Sequence, residues 1–329
     1  MATRVVFTGK SEGHIEEFTP PKPGAGQVGI ATQYSLMSTG TENIVFNRLF
    51  EPGSHWDRWV KYPFFPGYAN VGVVDAVGEG VTNLKKGDVV VTRSNHASYV
   101  TADTGRCTVL PDASIDRKEA AWFALAKICA MGVRAAQYGL ADSVLVIGAG
   151  PIGQMSVRWA HALGAETIIA VDLVKSRLDF AQKGGAHHVF DKPVTDCAAE
   201  IKALTNGEGP RIVIDSTGNE KVFASALGVV RKYGRVVILG DTGTPSAQHL
   251  TADVITRGIT IVGAHDGHED PTWNTPIILR FFFNLLRTKR FDLSGLITHE
   301  FAAKDAMKGY EVANTKRNET MGILFDWTK

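Results

Sequence analysis

The chain has 329 residues, 44% of them hydrophobic and 21% charged, with a formal net charge of +1 at pH 7. That length suits two domains, and near-neutrality leaves no field to draw the chain toward nucleic acid or an anionic membrane. The opening MATRVVFTGK lacks a signal-peptide core, no run reaches the ~20 apolar residues of a membrane span, and Cys107, Cys129 and Cys197 form no CxxC pair. A four-cysteine structural zinc site is therefore excluded, and a reducing, cytoplasmic setting with no membrane partner is expected.

Residues 1–120 read mainly as β-structure, with Val-, Ile-, Thr- and Tyr-rich runs at 27–34, 69–77, 88–92 and 97–101 and a turn-rich connection at 78–88. The insert at 50–65, FEPGSHWDRWVKYPFF, sets Trp56, Trp59, Tyr62, Phe64 and Phe65 among His55, Asp57, Arg58 and Lys61. Such a mixture suits a sugar-like or aromatic ligand, and equally a loop that closes a domain interface. It is too short, in too neutral a chain, to indicate single-stranded nucleic acid.

A helical stretch begins near Arg117, and from Val144 the rhythm becomes strand–helix–strand. Strands are expected at 144–147, 168–171, 188–190, 212–215, 236–239 and 260–262, with helices such as 152–163 and 175–183 between them. Alternation of this kind predicts a parallel, doubly wound α/β sheet. After Gly263 it stops: a helix at 276–287, a stretch at 296–299, a helix at 303–315 and a strand at 322–327 follow. This tail is too short to stand alone and is expected to pack back on the β-domain. The predicted division is 1–123 with 266–329 against 124–265, leaving a cleft for substrate.

The most informative segment is 144–172. An apolar strand enters Gly148-Ala149-Gly150-Pro151-Ile152-Gly153, a helix follows, and a second strand ends in Asp172. Glycines let backbone approach a pyrophosphate, and the helix N-terminus offers N–H groups and a positive dipole end. A carboxylate at Asp172 binds ribose hydroxyls and repels a 2′-phosphate, which favours NAD over NADP. Lys175 and Arg177 serve either the adenosine phosphates or the helix start. By topology, Ser216 and Thr217 line the adenosine side and Gly240 approaches the nicotinamide.

This order of domains, with Gly40-Thr41-Glu42, Pro66-Gly67-Tyr68-Ala69-Asn70-Val71-Gly72, VIGAGPIG and Leu296-Ile297-Thr298-His299, resembles the medium-chain dehydrogenase/reductase family over nearly the full length. Within it the chain is similar to the bacteriochlorophyllide dehydrogenase-like branch. The resemblance implies a GroES-like β-domain, a Rossmann domain, hydride transfer between them and a homodimer.

The departures from the family pattern concern its catalytic zinc. Thr39 stands where the family has cysteine, Tyr68 where it has histidine, Ala69 where it has glutamate, and Lys127 near the third ligand. A hydroxyl, a phenol and an ammonium make a poor tetrahedral zinc site, and the cysteine-rich lobe of the structural zinc is missing from 94–112. Without a Lewis acid, a protein group must handle the hydroxyl proton. Tyr68 and Lys127 are the candidates, the ammonium drawing the phenol toward neutrality, with Thr39 bonding the substrate oxygen. The blander reading has Tyr68 filling the space of a lost metal and Lys127 salt-bridged, with Glu42 as one partner.

Glu42 either pairs with a cation or caps the segment after Gly40. His96 faces substrate or serves as a structural hydrogen-bonder, and His265, after the last nucleotide-domain strand, is a further substrate candidate along with Trp56. The spacing of His265, His268 and Glu269 is not a helical metal motif. Apolar 254–262 and Phe281–Phe283 are expected to supply dimer surface. The expected activity is zinc-independent, NAD-linked interconversion of an alcohol or polyol and its carbonyl. An NADPH-dependent quinone or enone reductase and a non-catalytic dinucleotide sensor are the alternatives.

Overall fold

A computed structural model describes all 329 residues. Contacts group them into two units: 1–124 with 279–287 and 294–329, and 125–278 with 288–293.

The first unit opens with a hairpin, β1 (Ala2–Gly9) and β2 (Glu12–Phe18), followed by β3 (Gln27–Met37). Two helices follow, α1 (Thr39–Asn47) and α2 (His55–Trp59), the second capped by the Ser54 hydroxyl accepting the Asp57 N–H. The strands β4 (Asn70–Val77), β5 (Val89–Thr92), β6 (Tyr99–Asp103) and β7 (Cys107–Val109) then lead to α3 (Arg117–Ala120) and α4 (Phe123–Ala136).

The second unit alternates strand and helix: β8 (Ser143–Ile147), α5 (Pro151–Ala162), β9 (Thr167–Val171), α6 (Lys175–Lys183), β10 (His188–Phe190), α7 (Val194–Ala203), β11 (Ile212–Asp215), α8 (Glu220–Val229), β12 (Arg235–Ile238), α9 (Asp253–Arg257) and β13 (Thr260–Gly263). Its six strands are parallel in the order β10-β9-β8-β11-β12-β13. Strands of such a sheet are covered on both faces, which explains the unbroken apolar run at Val144–Ile147, each residue at most 3% exposed. Strand order reverses between β8 and β11, whose ends Ile147 and Asp215 lie side by side. Ligands of doubly wound sheets bind at that reversal, beyond the carboxyl ends of the strands.

The chain then forms α10 (Thr275–Arg287), β14 (Ile297–Ala302), α11 (Ala306–Thr315) and β15 (Gly322–Asp326). β15 enters the first unit's seven-stranded sheet, antiparallel to β3 and parallel to β14. Phe7, Phe46, Trp56, Tyr310 and Phe325 pack into one core there. The tail therefore returns to the first unit from 279 rather than 266, and 288–293 stays with the second. Two expectations of exposed aromatic surface are corrected as well. Trp56 is 4% exposed, a core residue and no ligand contact, and Phe282 and Phe283 are buried on the apolar face of α10.

Candidate active site

The turn that leaves β8 is built by close approach. Gly148 has φ 85°, and a Cβ there would lie 2.6 Å from the Thr217 Cγ2. A Cβ on Gly153 would collide with the Gly148 carbonyl oxygen. Gly150 caps α5 in extended conformation and Pro151 fixes the first helical φ. A Cβ on Gly150 would meet nothing within 4 Å, so the space before the helix N-terminus is open. The first-turn N–H groups, Ile152 and Gly153 among them, point there without intrahelical acceptors.

Asp172 follows β9, its side chain 8% exposed. Its carboxylate accepts the Ala149 N–H at 2.7 Å and the Val174 N–H at 2.8 Å, and the Arg177 guanidinium stands 3.8 Å away. Ser216 donates to the carbonyls of Ile147 and Gly148, binding β11's end to the glycine turn. Thr217 is tied to Asp215 by its N–H and hydroxyl. Gly240 packs against this turn, where a Cβ would lie 2.5 Å from the Ser216 carbonyl carbon. Asp215 is fully buried, and burial pushes its carboxyl above the usual carboxylate range.

In the first unit, hydroxyls gather around Tyr68. Its phenol donates to the Ser38 hydroxyl, and the Thr41 hydroxyl oxygen lies 3.5 Å away. The Arg93 guanidinium lies 4.8 Å from the centre of the Tyr68 ring. Loss of water pushes the phenol up from its ordinary value, while Ser38, Thr41 and Arg93 pull it down and the Glu42 charge pushes it up. The expected lowering toward neutrality is thereby corrected: burial wins. Thr39 is the first residue of α1, with Ser38 at its N-cap.

Glu42, 2% exposed, meets three donors. It accepts the Ser38 N–H at 2.8 Å, the Tyr310 hydroxyl at 2.5 Å and the His96 Nε2–H at 3.1 Å. It thus caps α1 by reaching back to Ser38, and its other partners are His96 and Tyr310 rather than Lys127. His96 is fully buried, its Nδ1 2.7 Å from the Ser35 hydroxyl, which also accepts the Trp327 indole N–H. A carboxylate only accepts, so Nε2 carries the hydrogen and Ser35 is free to donate to Nδ1. His96 therefore holds the core together and has no surface to offer substrate.

Lys127, on α4, is 3% exposed, and its ammonium lies 2.7 Å from the carboxylates of both Asp266 and Glu269. Arg134 pairs with Asp270 at 2.9 Å, and the Trp273 indole donates to the Ala130 carbonyl. The loop after β13 is thus stapled along α4. His265 is exposed on this loop, its Nδ1 accepting the Gly267 N–H at 3.0 Å.

The model of the alcohol dehydrogenase GroES-like domain matches residues 24–150, and that of the zinc-binding dehydrogenase matches 151–281. The chain is 29% identical over 290 residues to L-threonine 3-dehydrogenase of Bacillus licheniformis, covering 78% of this chain and 82% of the relative. It is 26% identical over 344 residues to sorbitol dehydrogenase of Gallus gallus, covering 94% and 92%. An Escherichia coli oxidoreductase/dehydrogenase of unknown specificity shares its fold with a TM-score of 0.86 at 21% identity, covering 99% of each chain. The chain belongs to the medium-chain dehydrogenase/reductase family.

As a member of this family the protein is an oxidoreductase with a GroES-like domain and a Rossmann domain. Zinc is implied by the family model's description, and the donors do not fit it. Tyr68 is engaged with Ser38, Lys127 is a cation between two carboxylates, and no group of three or more His, Cys, Asp or Glu side chains is arranged to hold a metal. Sequence reasoning missed Ser38, Thr41, Arg93 and Tyr310. Thr41 lay inside the quoted Gly40–Glu42 motif and carried a signal; Arg93 and Tyr310 lie far from Tyr68 and Glu42 in sequence and carried none.

Proposed function

We propose that this protein is a zinc-independent dehydrogenase that uses NAD(H) to interconvert an alcohol or polyol and its carbonyl. The observation that carries the reading is the hydroxyl cluster in which Tyr68, at the position where the family resemblance would put a histidine, meets Ser38 and Thr41. Relatives named for L-threonine and sorbitol support a hydroxyl-bearing substrate.

A dinucleotide held at the Gly148–Gly153 turn and Asp172 would supply the hydride for reduction, and the substrate's carbonyl oxygen would then need a proton from the protein. A phenol held above its ordinary pKa is protonated at neutral pH, so Tyr68 suits the general acid of this step, with Ser38 and Thr41 orienting its hydroxyl. The direction favoured by this chemistry is carbonyl reduction. Thr39, at the start of α1, remains a candidate for contact with the substrate oxygen. Lys127, neutralised by two acids, serves as a clasp for the 264–275 loop rather than as a proton partner. Asp172 supports a preference for NADH, since an anion beside the ribose repels a 2′-phosphate.

The edge strand β13 pairs only with β12, and Ile255 nearby is 85% exposed. We propose this edge as the contact of a homodimer, which sedimentation of the wild type and of Ile255→Asp tests.

The deciding experiment measures NADH and NADPH oxidation with ketoses, aliphatic ketones and an enone, together with the metal content of the purified protein. The reading expects ketone or ketose turnover with NADH, unchanged by chelators, and a loss of ~10²–10⁴ in kcat for Tyr68→Phe. Stoichiometric zinc that is required for activity, or turnover of the enone alone with NADPH, overturns it.

A further inference from the structure

α5 carries a buried polar pair one turn apart. Gln154 is fully buried and Arg158 is 1% exposed. The Gln154 amide nitrogen donates to the Ala149 carbonyl and to the Arg177 carbonyl, each at 2.8 Å. Its amide oxygen accepts the Arg158 Nη1–H at 2.8 Å. These contacts fix the rotamer and the amide orientation together, because an amide turned over would place its oxygen against two carbonyl oxygens.

The two Gln154 acceptors belong to the parts that would hold a dinucleotide. Ala149 lies inside the glycine turn, and its N–H is the one bound by Asp172, so the two successive peptide units that meet at Ala149 are gripped, one through its N–H and the next through its C=O. Arg177 lies in the first turn of α6, the helix that follows Asp172.

Arg158 anchors this arrangement from behind. Its Nε donates to the Asp292 carbonyl, its Nη1 to the Gln154 carbonyl at 3.2 Å, and its Nη2 to the Phe180 carbonyl at 3.3 Å. Gly184 at the end of α6 makes the space, since a Cβ there would lie 2.6 Å from the guanidinium carbon. Burial pushes the guanidinium down to about 10, and the Asp292 charge opposes that shift. A buried charge is costly to keep. An apolar pair would fill the same helix face more cheaply if packing were the whole purpose.

We propose that Gln154 and Arg158 are positioning residues for the cofactor: Arg158 orients Gln154, and Gln154 holds the Ala149 peptide and the start of α6 so that the glycine turn and Asp172 receive the adenosine diphosphate half of the dinucleotide. This rests on the dinucleotide-binding reading of the turn. Neither residue touches the ligand; both act through main-chain carbonyls.

The test is titration calorimetry of NAD⁺ and of ADP-ribose, which lacks the nicotinamide, with wild type, Gln154→Leu, Arg158→Lys and Gly184→Ala, alongside melting temperatures and the carbonyl-substrate KM. Gly184 has φ −80°, so alanine there adds no backbone strain and acts only by crowding the guanidinium, which keeps the test open should Gln154→Leu fail to fold. The expected result is a roughly tenfold weakening of both ligands in Gln154→Leu, a smaller parallel weakening in Arg158→Lys and Gly184→Ala, and a substrate KM within about twofold of wild type. Melting temperatures that fall while both affinities stay within about twofold of wild type overturn the proposal and leave the pair a packing device. A wild type that binds neither ligand overturns the dinucleotide reading itself.

Discussion

The Lys127 ammonium lies 2.7 Å from the Asp266 carboxylate and 2.7 Å from the Glu269 carboxylate, so a buried cation is spent on closing a loop. Burial alone would raise the Glu269 carboxyl, and Lys127 and Thr275 hold it below its ordinary value instead. Lys127→Met is expected to cost about 1–2 kcal/mol, below the ~3–5 of a fully buried pair because both acids keep some contact with water. Amide exchange in 264–275 should quicken while kcat stays near wild type. A kcat loss as deep as that of Tyr68→Phe would return Lys127 to the chemistry.

The pH dependence of reduction follows from Tyr68. The phenol is the acid, so the rate is expected to be flat through neutrality and to fall above ~10, the ordinary phenol value. Arg93 stabilises the phenolate, so Arg93→Gln raises the pKa and moves the falling limb to higher pH. Profiles of kcat for wild type and Arg93→Gln check both the position and the sign.

Tyr310 gives its hydroxyl to a carboxylate that is almost wholly shut off from the bulk water that could replace it. Tyr310→Phe is expected to lower stability by about 1.5–3 kcal/mol, the range for a hydrogen bond to a charged group. Urea unfolding measures it, and a midpoint unchanged from wild type refutes it.

Of the three thiols, Cys129 is buried, with burial pushing it up to about 12, and Cys197 is also buried. Cys107 is partly exposed. A thiol reagent at neutral pH should modify one cysteine per folded chain, at Cys107, and all three after denaturation.

Asp326 is held at about 2: burial opposes this, and Lys329 and Thr328 overcome it. A carboxylate depressed in the folded state contributes stability above its unfolded value, ~3.9, and loses it as pH falls toward the folded one. Asp326→Asn should therefore flatten the loss of stability between roughly pH 4 and pH 2, as read by acid-induced unfolding.

The parallel sheet was legible because its inner strands are buried on both faces and the helices show their own period, so 144–147, 168–171 and 212–214 stood out as apolar runs between polar and turn residues. The turn at Gly148–Gly153 was legible because its glycines recur at the spacing of a strand-to-helix turn, and at Gly148 and Gly153 they answer close approach by Thr217 and by the Gly148 carbonyl. The hairpin β1–β2 escaped notice because its second strand, EGHIEEF, is half solvated and rich in charge. Site residues outside local motifs were illegible for another reason. Glu42 meets Tyr310 across 268 positions and His96 across 54, and no pattern in one sequence signals such a meeting. Lys127 was read by its place in a family pattern, whereas its partners lie on a loop more than a hundred residues away.

β15 lies between β14 and β3, with every residue buried, yet the ribosome makes it only after the whole six-stranded parallel sheet. Until it is made, the Tyr34–Met37 end of β3 lacks its partner strand, an edge open to pairing with a neighbouring nascent chain. The Rossmann body can close first, while the GroES-like body waits for its inner strand. Vectorial synthesis thus makes the earliest-made sheet the last to be sealed, and places the risk of misassembly at β3.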